Sequence, residues 1–369
     1  MLMKIYENFS LLHNNTFGID AKCRQFVEIE TSQEAAEKLP FVAKSTLPLI
    51  VIGGGSNLLL TKDYEGIVVH SAIKGVSVSY EEPEANASGT GAALPGETTE
   101  AGAALPGETS EAGAVFLTAG SGECFDDVIA MAVSLGYYGL ENLSIIPGDV
   151  GASAVQNIGA YGVEAKDFIH SINAVEIATG KKVTIMNSDC DYGYRQSRFK
   201  KECKGKYFIT SVTYRLSTEF VPHVEYGGIR KALEERGISE PSAQDIRDTI
   251  IDIRNAKLPD PKVLGNGGSF FMNPVVSREK FEALLAEYPA MPHYFVDEEH
   301  EKIPAGWMIE QCGWKGKSLG KAAVHDKQAL VLVNLGGAKG EEIVALCEKV
   351  REDVLKKFGI DIHPEVNII

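Results

Sequence analysis

The sequence is short of several things that would each have suggested a function. Its six cysteines (Cys23, Cys124, Cys190, Cys203, Cys312 and Cys347) form no CxxC pair, and their gaps are long and irregular. That spacing argues against a disulfide framework or a zinc site and for a reducing compartment. No apolar run approaches the ~18 residues that cross a bilayer. The opening MLMKIYENFSLLHNN has no signal-peptide core. The chain therefore reads as soluble and cytoplasmic. Positive charge is in deficit, with 36 Lys and Arg against 51 Asp and Glu, a formal net charge of -15. Such a chain lacks the clustered basic surface that nucleic acid needs, and anionic membranes should not attract it. The common catalytic and nucleotide signatures are missing too. GxGxxG fails at the third position of both 53-55-58 and 120-122-125, and Gln311 stands where a phosphate-binding loop ending Gly316-Lys317-Ser318 needs glycine. There is no GxSxG elbow and no HExxH pair, and the eight histidines are scattered. No metal site is expected.

The acidity is uneven. Residues 81–113 hold seven glutamates and no basic residue, so the rest of the chain accounts for only -8 of the formal -15. The same segment contains a tandem repeat, AALPGETTEAG (92–102) and AALPGETSEAG (103–113). It has almost no large apolar residue to offset its ordering entropy, and reads as a disordered insertion. At 369 residues the chain has length for two or three domains.

Outside the repeat, apolar runs are short. Residues 47–52, 66–70, 75–80, 115–119, 182–186 and 207–216 read as strands from their length, β-branching and glycine stops. Residues 124–135 read as a helix, with Phe125, Val128, Ile129, Ala132 and Val133 at helical spacing. Further helices are expected near 226–236 and 242–256. A long one should run from Gly340 to Phe358, capped by Gly359. We place a domain boundary near residue 220, with residues 1–220 as one domain, 221–355 as a second, and 356–369 as a tail returning to the first.

Four glycine-dense loops stand out: 53–57, 120–123, 146–151 and 159–162. Glycine lets backbone N–H groups turn toward a phosphate and lets the chain approach a ligand closely, although tight turns need glycine as well. Four such loops within about 110 residues favour a large phosphate-bearing cofactor. Tyr194-Arg195 offers a phenol and a charged fork suited to a carboxylate, or simply a surface turn. Ser269 lies in GNGGSFFMN (265–273), which fits either a close-approach substrate loop or a corner packed by Phe270 and Phe271.

Taken in order, these segments resemble the UDP-N-acetylenolpyruvoylglucosamine reductase family of flavoenzymes in peptidoglycan synthesis. The matching pieces are NTFGIDA (15–21), GGGSNLLL (53–60), GLENLSIIPGDVGASAVQNIGAYG (139–162), GYRQSRFK (193–200), KLPDP (257–261), GNGGSFFMNP (265–274), PAGWMIEQCG (304–313), AAVH (322–325) and HPEV (363–366). The Tyr226-Gly227 pair resembles the longer subclass, whose substrate domain carries a tyrosine-bearing loop. The resemblance implies an α+β fold: a vanillyl-alcohol-oxidase (PCMH) type FAD-binding module of two subdomains, plus a smaller α+β substrate-binding domain. It implies non-covalent FAD held by Gly53, Gly54, Gly55, Ser56, Asn57, Leu58, Gly120, Ser121, Gly122, Glu123, Ile146, Pro147, Gly148, Gly151, Ala152, Gln156, Asn157, Gly159, Ala160, Tyr161, Gly162 and Arg254.

The implied reaction uses NADPH to reduce the flavin. Hydride then passes to the terminal methylene of the enolpyruvyl sugar nucleotide, and the enolate-like intermediate is protonated at the adjacent carbon. Ser269 matches the family's proton donor. Arg195 would clamp the substrate carboxylate, and a protonated Glu365 would donate a hydrogen bond to it. Tyr194, Tyr226, Lys257, Asn273 and Gln311 match positions that hold the carboxylate or the sugar nucleotide, with Lys257 and Tyr226 toward the diphosphate. Many relatives carry a basic residue two positions after the terminal glutamate, where this chain has Asn367. The expected partners are small molecules and the expected state is a monomer.

Overall fold

The structure is a computed structural model that describes residues 4–80 and 113–369. Apart from Gly113, the repeat insertion lies outside the described residues. The chain divides into two compact units. One is made of the described residues of 1–8, 24–54 and 65–254; the other is made of 9–23, 55–64 and 255–369. Both mix helices and strands, so the α+β expectation holds.

The first unit is built on an antiparallel five-stranded sheet in the order Lys182–Met186, Ile169–Glu176, Tyr207–Ser217, Ala114–Gly120, Val76–Ser79. Its central strand Tyr207–Ser217 is buried along most of its length, as β-branched and aromatic residues favour. One face of this sheet packs the helices Phe125–Ser134 and Val150–Gln156. Phe125, Val128, Ile129, Ala132 and Ala154 meet Val212 and Tyr214 there. The Tyr214 hydroxyl is 2.8 Å from the Ser153 hydroxyl, which satisfies a fully buried polar group. Val175 and Phe208 pack instead with Leu39 of the helix Ser32–Val42 and with Val27, Ile29, Ile67 and Val69. The last four belong to a second sheet, ordered Ile5–Ser10, Lys22–Ile29, Tyr64–Ser71, Leu49–Ile52. The predicted strands and the helix at 124–135 appear within one or two residues of their expected bounds.

The unit changes at 254/255 rather than near 220. Residues 221–254 look like the start of something new in sequence, but they have a packing reason to stay with what precedes them. Ile246 and Ile250 of the helix Ala243–Lys257 bury against Val224, Ile229 and Leu233, and Phe220 and Tyr161 close the cluster. Arg247 also forms a two-point ion pair with Asp126 (2.6 and 3.0 Å).

The second unit holds a four-stranded sheet in the order Gly265–Ser269, Val331–Asn334, Ala322–Val324, Ser318–Leu319. The helix Gly340–Phe358 buries Ile343, Leu346, Cys347, Val350, Val354 and Phe358, the stripe read from the sequence. Gly359 ends it in the left-handed conformation (φ +64°). The tail then adds a strand, Asn367–Ile368, parallel to Leu58–Leu59.

Candidate active site

Within the first unit, the glycine loops gather in two groups. In the first, loop 120–123 lies against loop 148–151 through main-chain bonds. Gly151 N–H donates to Ser121 O, Val150 N–H to Glu123 O, and Phe125 N–H to Gly148 O. A Cβ on Gly120 or Gly122 would come within 2.6 Å of the carbonyls of Ile73 and Ser71. These two glycines are thus required by the approach of the protein's own backbone. Gly53 and Gly54 face the Asp149 carboxylate, where a Cβ would meet its oxygens at 3.0 and 3.2 Å. Burial pushes the Asp149 carboxyl up to about 6, opposed by the charge of Lys74 and a hydrogen bond from Gly54 N–H. Lys74 also pairs with Glu123 (3.5 Å).

The second group joins loop 157–162 to the tight turn 193–196 and to residues 226–227. Gly193 and Gln196 exchange main-chain bonds at 3.0 Å, and Arg195 at the turn has φ +55°. Its guanidinium donates to Gly159 O at 2.6 Å and lies 5.3 Å from the Tyr194 ring centroid. Lys200 Nζ holds Arg195 O and Gln156 Oε1, each at 2.9 Å. Asn157 Nδ2 donates to Gly193 O at 2.9 Å. Tyr226 stands beside Gly162, and Gly227 is pressed against the Tyr161 ring, where a Cβ would meet it at 2.5 Å. The structure therefore brings Tyr194, Arg195 and Tyr226 to one loop cluster, with Tyr194 and Tyr226 exposed.

Arg254 belongs to both groups. It reaches Ile145 O from Nη2 at 3.5 Å and hydrogen-bonds the Tyr161 hydroxyl. Burial lowers its pKa, opposed by Tyr161 and Asp126. Its Nε is buried with no partner among the described residues. A buried guanidinium donor without an acceptor is costly, and an anionic or carbonyl-rich ligand supplies what it lacks. That requirement fits the phosphates and ring carbonyls of FAD.

The second unit places Ser269 and Glu365 together. Phe270 N–H donates to Leu330 O at 2.7 Å, while Phe270 O accepts from Glu365 N–H at 2.7 Å. Met272 N–H donates to His363 O at 3.0 Å. Glu365 is thereby pinned one residue from Ser269 by main-chain bonds, while Phe270 and Phe271 are fully buried beneath. The packed-corner reading of this segment holds for the two aromatics, which are core, while Ser269, preceded by Gly268 at φ +69°, is exposed. Asn57 Nδ2 donates to Glu365 O at 3.2 Å, and Asn57 O accepts from Asn367 N–H at 3.1 Å. Gly55 (φ +67°) allows this path, since a Cβ would lie 1.9 Å from Asn14 O.

Asn273 Oδ1 accepts the N–H of Ala305, the first residue of the helix Ala305–Gln311, at 2.9 Å. Gln311 is exposed at the other end of that helix, about 10 Å away at 1.5 Å per residue. Lys257 is exposed as the last residue of its own helix. Among the described residues no hydrogen bond or ion pair links either side chain to Ser269.

Sequence reasoning missed several residues that organise the site. Asp126 and Arg247 lie in no motif, and they meet across 121 positions, so no spacing rule marks them. Asn142 and Lys200 lie inside the segments 139–162 and 193–200, but nothing local singles them out there. Asn142 Nδ2 ties Tyr161 O to His223 O, both at 2.9 Å. Asp149 sits inside a recognised loop, but nothing local signals that it faces Gly53 and Gly54.

Comparison with known proteins bears on this arrangement directly. Residues 260–369 match the family model described as UDP-N-acetylenolpyruvoylglucosamine reductase, C-terminal domain, and residues 23–186 match an FAD binding domain. A protein of Bacteroides fragilis named UDP-N-acetylenolpyruvoylglucosamine reductase is 49% identical over 364 residues, covering 98% of this chain and 99% of its own. The chain belongs to the UDP-N-acetylenolpyruvoylglucosamine reductase family. Relatives of the same name from Neisseria gonorrhoeae (44% identical over 96% of this chain and 94% of its own) and Flavobacterium johnsoniae (41%, 100% of each) agree. The crystal structure of that family's enzyme from Thermus caldophilus superposes with a TM-score of 0.62 at 18% identity, covering 100% of this chain and 99% of that one, and shows the same fold. As a member of this family the chain is an oxidoreductase with an FAD-binding domain. Among the described residues no helix is long and apolar enough to cross a membrane.

Proposed function

We propose that the chain reduces the enolpyruvyl ether of UDP-N-acetylglucosamine to UDP-N-acetylmuramate, using NADPH, as a cytoplasmic monomer in peptidoglycan synthesis. The glycine loops and Arg254 would hold FAD, which would supply hydride drawn from NADPH for the terminal methylene of the substrate. The chain's own residues orient the substrate and manage the charge and proton that follow. Arg195 holds the carboxylate through its planar fork, which two carbonyl acceptors already keep in place. Negative charge then grows on the enolate, where the Arg195 guanidinium stabilises it, as would a hydrogen bond donated by Glu365 in its acid form. Ser269 delivers the proton to the adjacent carbon and regains one from water, which an exposed hydroxyl can do. Tyr226 and Lys257 take the diphosphate; Tyr194, Asn273 and Gln311 contact the rest of the carboxylate and sugar nucleotide. Residues 221–254 would serve the substrate from within the first unit.

The observation that supports this most is the main-chain pairing that holds Glu365 one residue from an exposed Ser269. A flavin oxidase using oxygen has no need of such a proton donor. The test is anaerobic. NADPH should bleach the flavin band near ~450 nm, and the enolpyruvyl sugar nucleotide should then restore it with formation of one product. Bleaching that only oxygen reverses would reject the reading in favour of an oxidase.

A further inference from the structure

Ile145 precedes the loop Ile146–Gly151 and has φ +49°. A β-branched residue in the left-handed region is a true outlier, and it persists only where its surroundings impose it. The surroundings here are explicit. Asp126 Oδ1 accepts the Ile145 N–H at 2.6 Å. The same carboxylate is gripped at two points by Arg247, whose side chain is 10% exposed. The neighbouring Phe125 gives its N–H to Gly148 O at 3.0 Å. Two consecutive residues at the start of one helix thus fix the loop at positions 145 and 148, and Arg247 fixes the first of them from a second helix.

We propose that Asp126 and Arg247 are positioning residues for the cofactor, acting through the backbone of Ile145 to aim the loop 146–151. Neither side chain needs to touch FAD. The proposal rests on the reading of this loop as part of the FAD site. Without the Asp126 acceptor, Ile145 relaxes to a right-handed or extended conformation, and the peptide planes that follow rotate with it. Burial alone would push the Asp126 carboxyl up, but hydrogen bonds from Arg247 and the Ile145 N–H outweigh it and hold it below the usual carboxylate range. The acceptor therefore stays ionised at neutral pH.

The test separates aiming from stability. Asp126→Leu/Arg247→Met replaces the ion pair with apolar groups of similar size, a change that buried pairs often tolerate. Adding Ile145→Gly to that variant gives the left-handed conformation to a residue that adopts it freely. Apoproteins are titrated with FAD by quenching of flavin fluorescence, and their melting temperatures are recorded. The Leu/Met variant should bind FAD about tenfold more weakly or worse, equivalent to ~1.4 kcal/mol. The triple variant should return to within about threefold of native, without a matching rise in melting temperature. Asp126→Asn/Arg247→Met keeps an acceptor for the Ile145 N–H and should stay near native affinity. Native affinity in the Leu/Met variant, or no recovery on adding Ile145→Gly, overturns the proposal. Failure of the unmodified chain to quench flavin overturns the cofactor reading itself, and is seen before any variant is made.

Discussion

The loop after Ile145 and the chain end after His363 are both held firmly, but they rely on side chains to different degrees. Main-chain bonds reach the loop at Gly148, Val150 and Gly151, and side chains add to them: Asp126 and Arg247 on Ile145, and Asp149 facing Gly53 and Gly54. The chain end is held mostly by main-chain bonds: Glu365 to Phe270, Asn367 to Asn57, Ile369 to Leu59, and Thr61 back to Ile369, with the Asn57 and Thr61 side chains adding to them. Side-chain support can be removed by one substitution and responds to pH, because carboxylates titrate. Main-chain support is indifferent to most substitutions and fails only when the backbone is cut or diverted. The two regions should therefore answer different experiments.

Cutting the backbone should have the largest effect. Truncation after His363 removes Glu365, the acceptor of Asn57 Nδ2, and the strand beside Leu58–Leu59. Turnover of the sugar nucleotide should fall by roughly a thousandfold or more, and FAD affinity should fall as well. Glu365→Gln, which leaves the backbone intact, should lose turnover but keep FAD. Equal FAD loss in both would mean that the side chain, not the backbone, anchors the tail.

Ser269→Ala comes next. NADPH should still reduce the flavin at a native rate, while reoxidation by the sugar nucleotide slows by about a hundredfold or more. Parallel slowing of both half-reactions, followed by stopped-flow absorbance, would make Ser269 a structural residue.

Asp149→Asn probes the side-chain-supported loop through pH. The Asp149 carboxyl, pushed up to about 6 by burial, keeps its proton in the folded state where the unfolded chain has released it. Its ionisation therefore costs stability progressively as pH rises from about 4 to 6, and the full cost remains above that. The variant apoprotein should match the native melting temperature near pH 4 and exceed it at pH 7. A constant difference across that range would show that Asp149 is ionised throughout.

The smallest effect is expected from Asn367→Ala. Its Nδ2 donates to Asn57 O at 3.1 Å, but its own N–H reaches the same oxygen at 3.1 Å. An exposed, duplicated bond of this kind contributes about 0.5 kcal/mol or less. Activity within about twofold of native would show that main-chain pairing suffices here; a larger loss would show that it does not.

The sequence made much of this legible. The helix Gly340–Phe358 could be read whole, because a stripe from Ile343 to Phe358 and a glycine stop are local signals. Ser269 and Glu365 were marked by motifs, and the structure adds the pairing that unites them. The boundary near 220 was misleading because composition shifts there, while Ile246 and Ile250 pack back on Val224 and Leu233. The glycines were ambiguous for a physical reason. Gly55, Gly120 and Gly122 make room for the protein's own carbonyls, and a ligand's needs leave the same mark in sequence.

By itself, then, the sequence determined the periodic elements and the family and offered the candidate side chains, since each is written in residue types a few positions apart. Tertiary structure alone decided which distant residues meet. Asp126 and Arg247 stand 121 positions apart, and Asn57 and Glu365 stand 308 apart. Hydrogen bonds and ion pairs act over a few ångströms of space, whatever the distance along the chain.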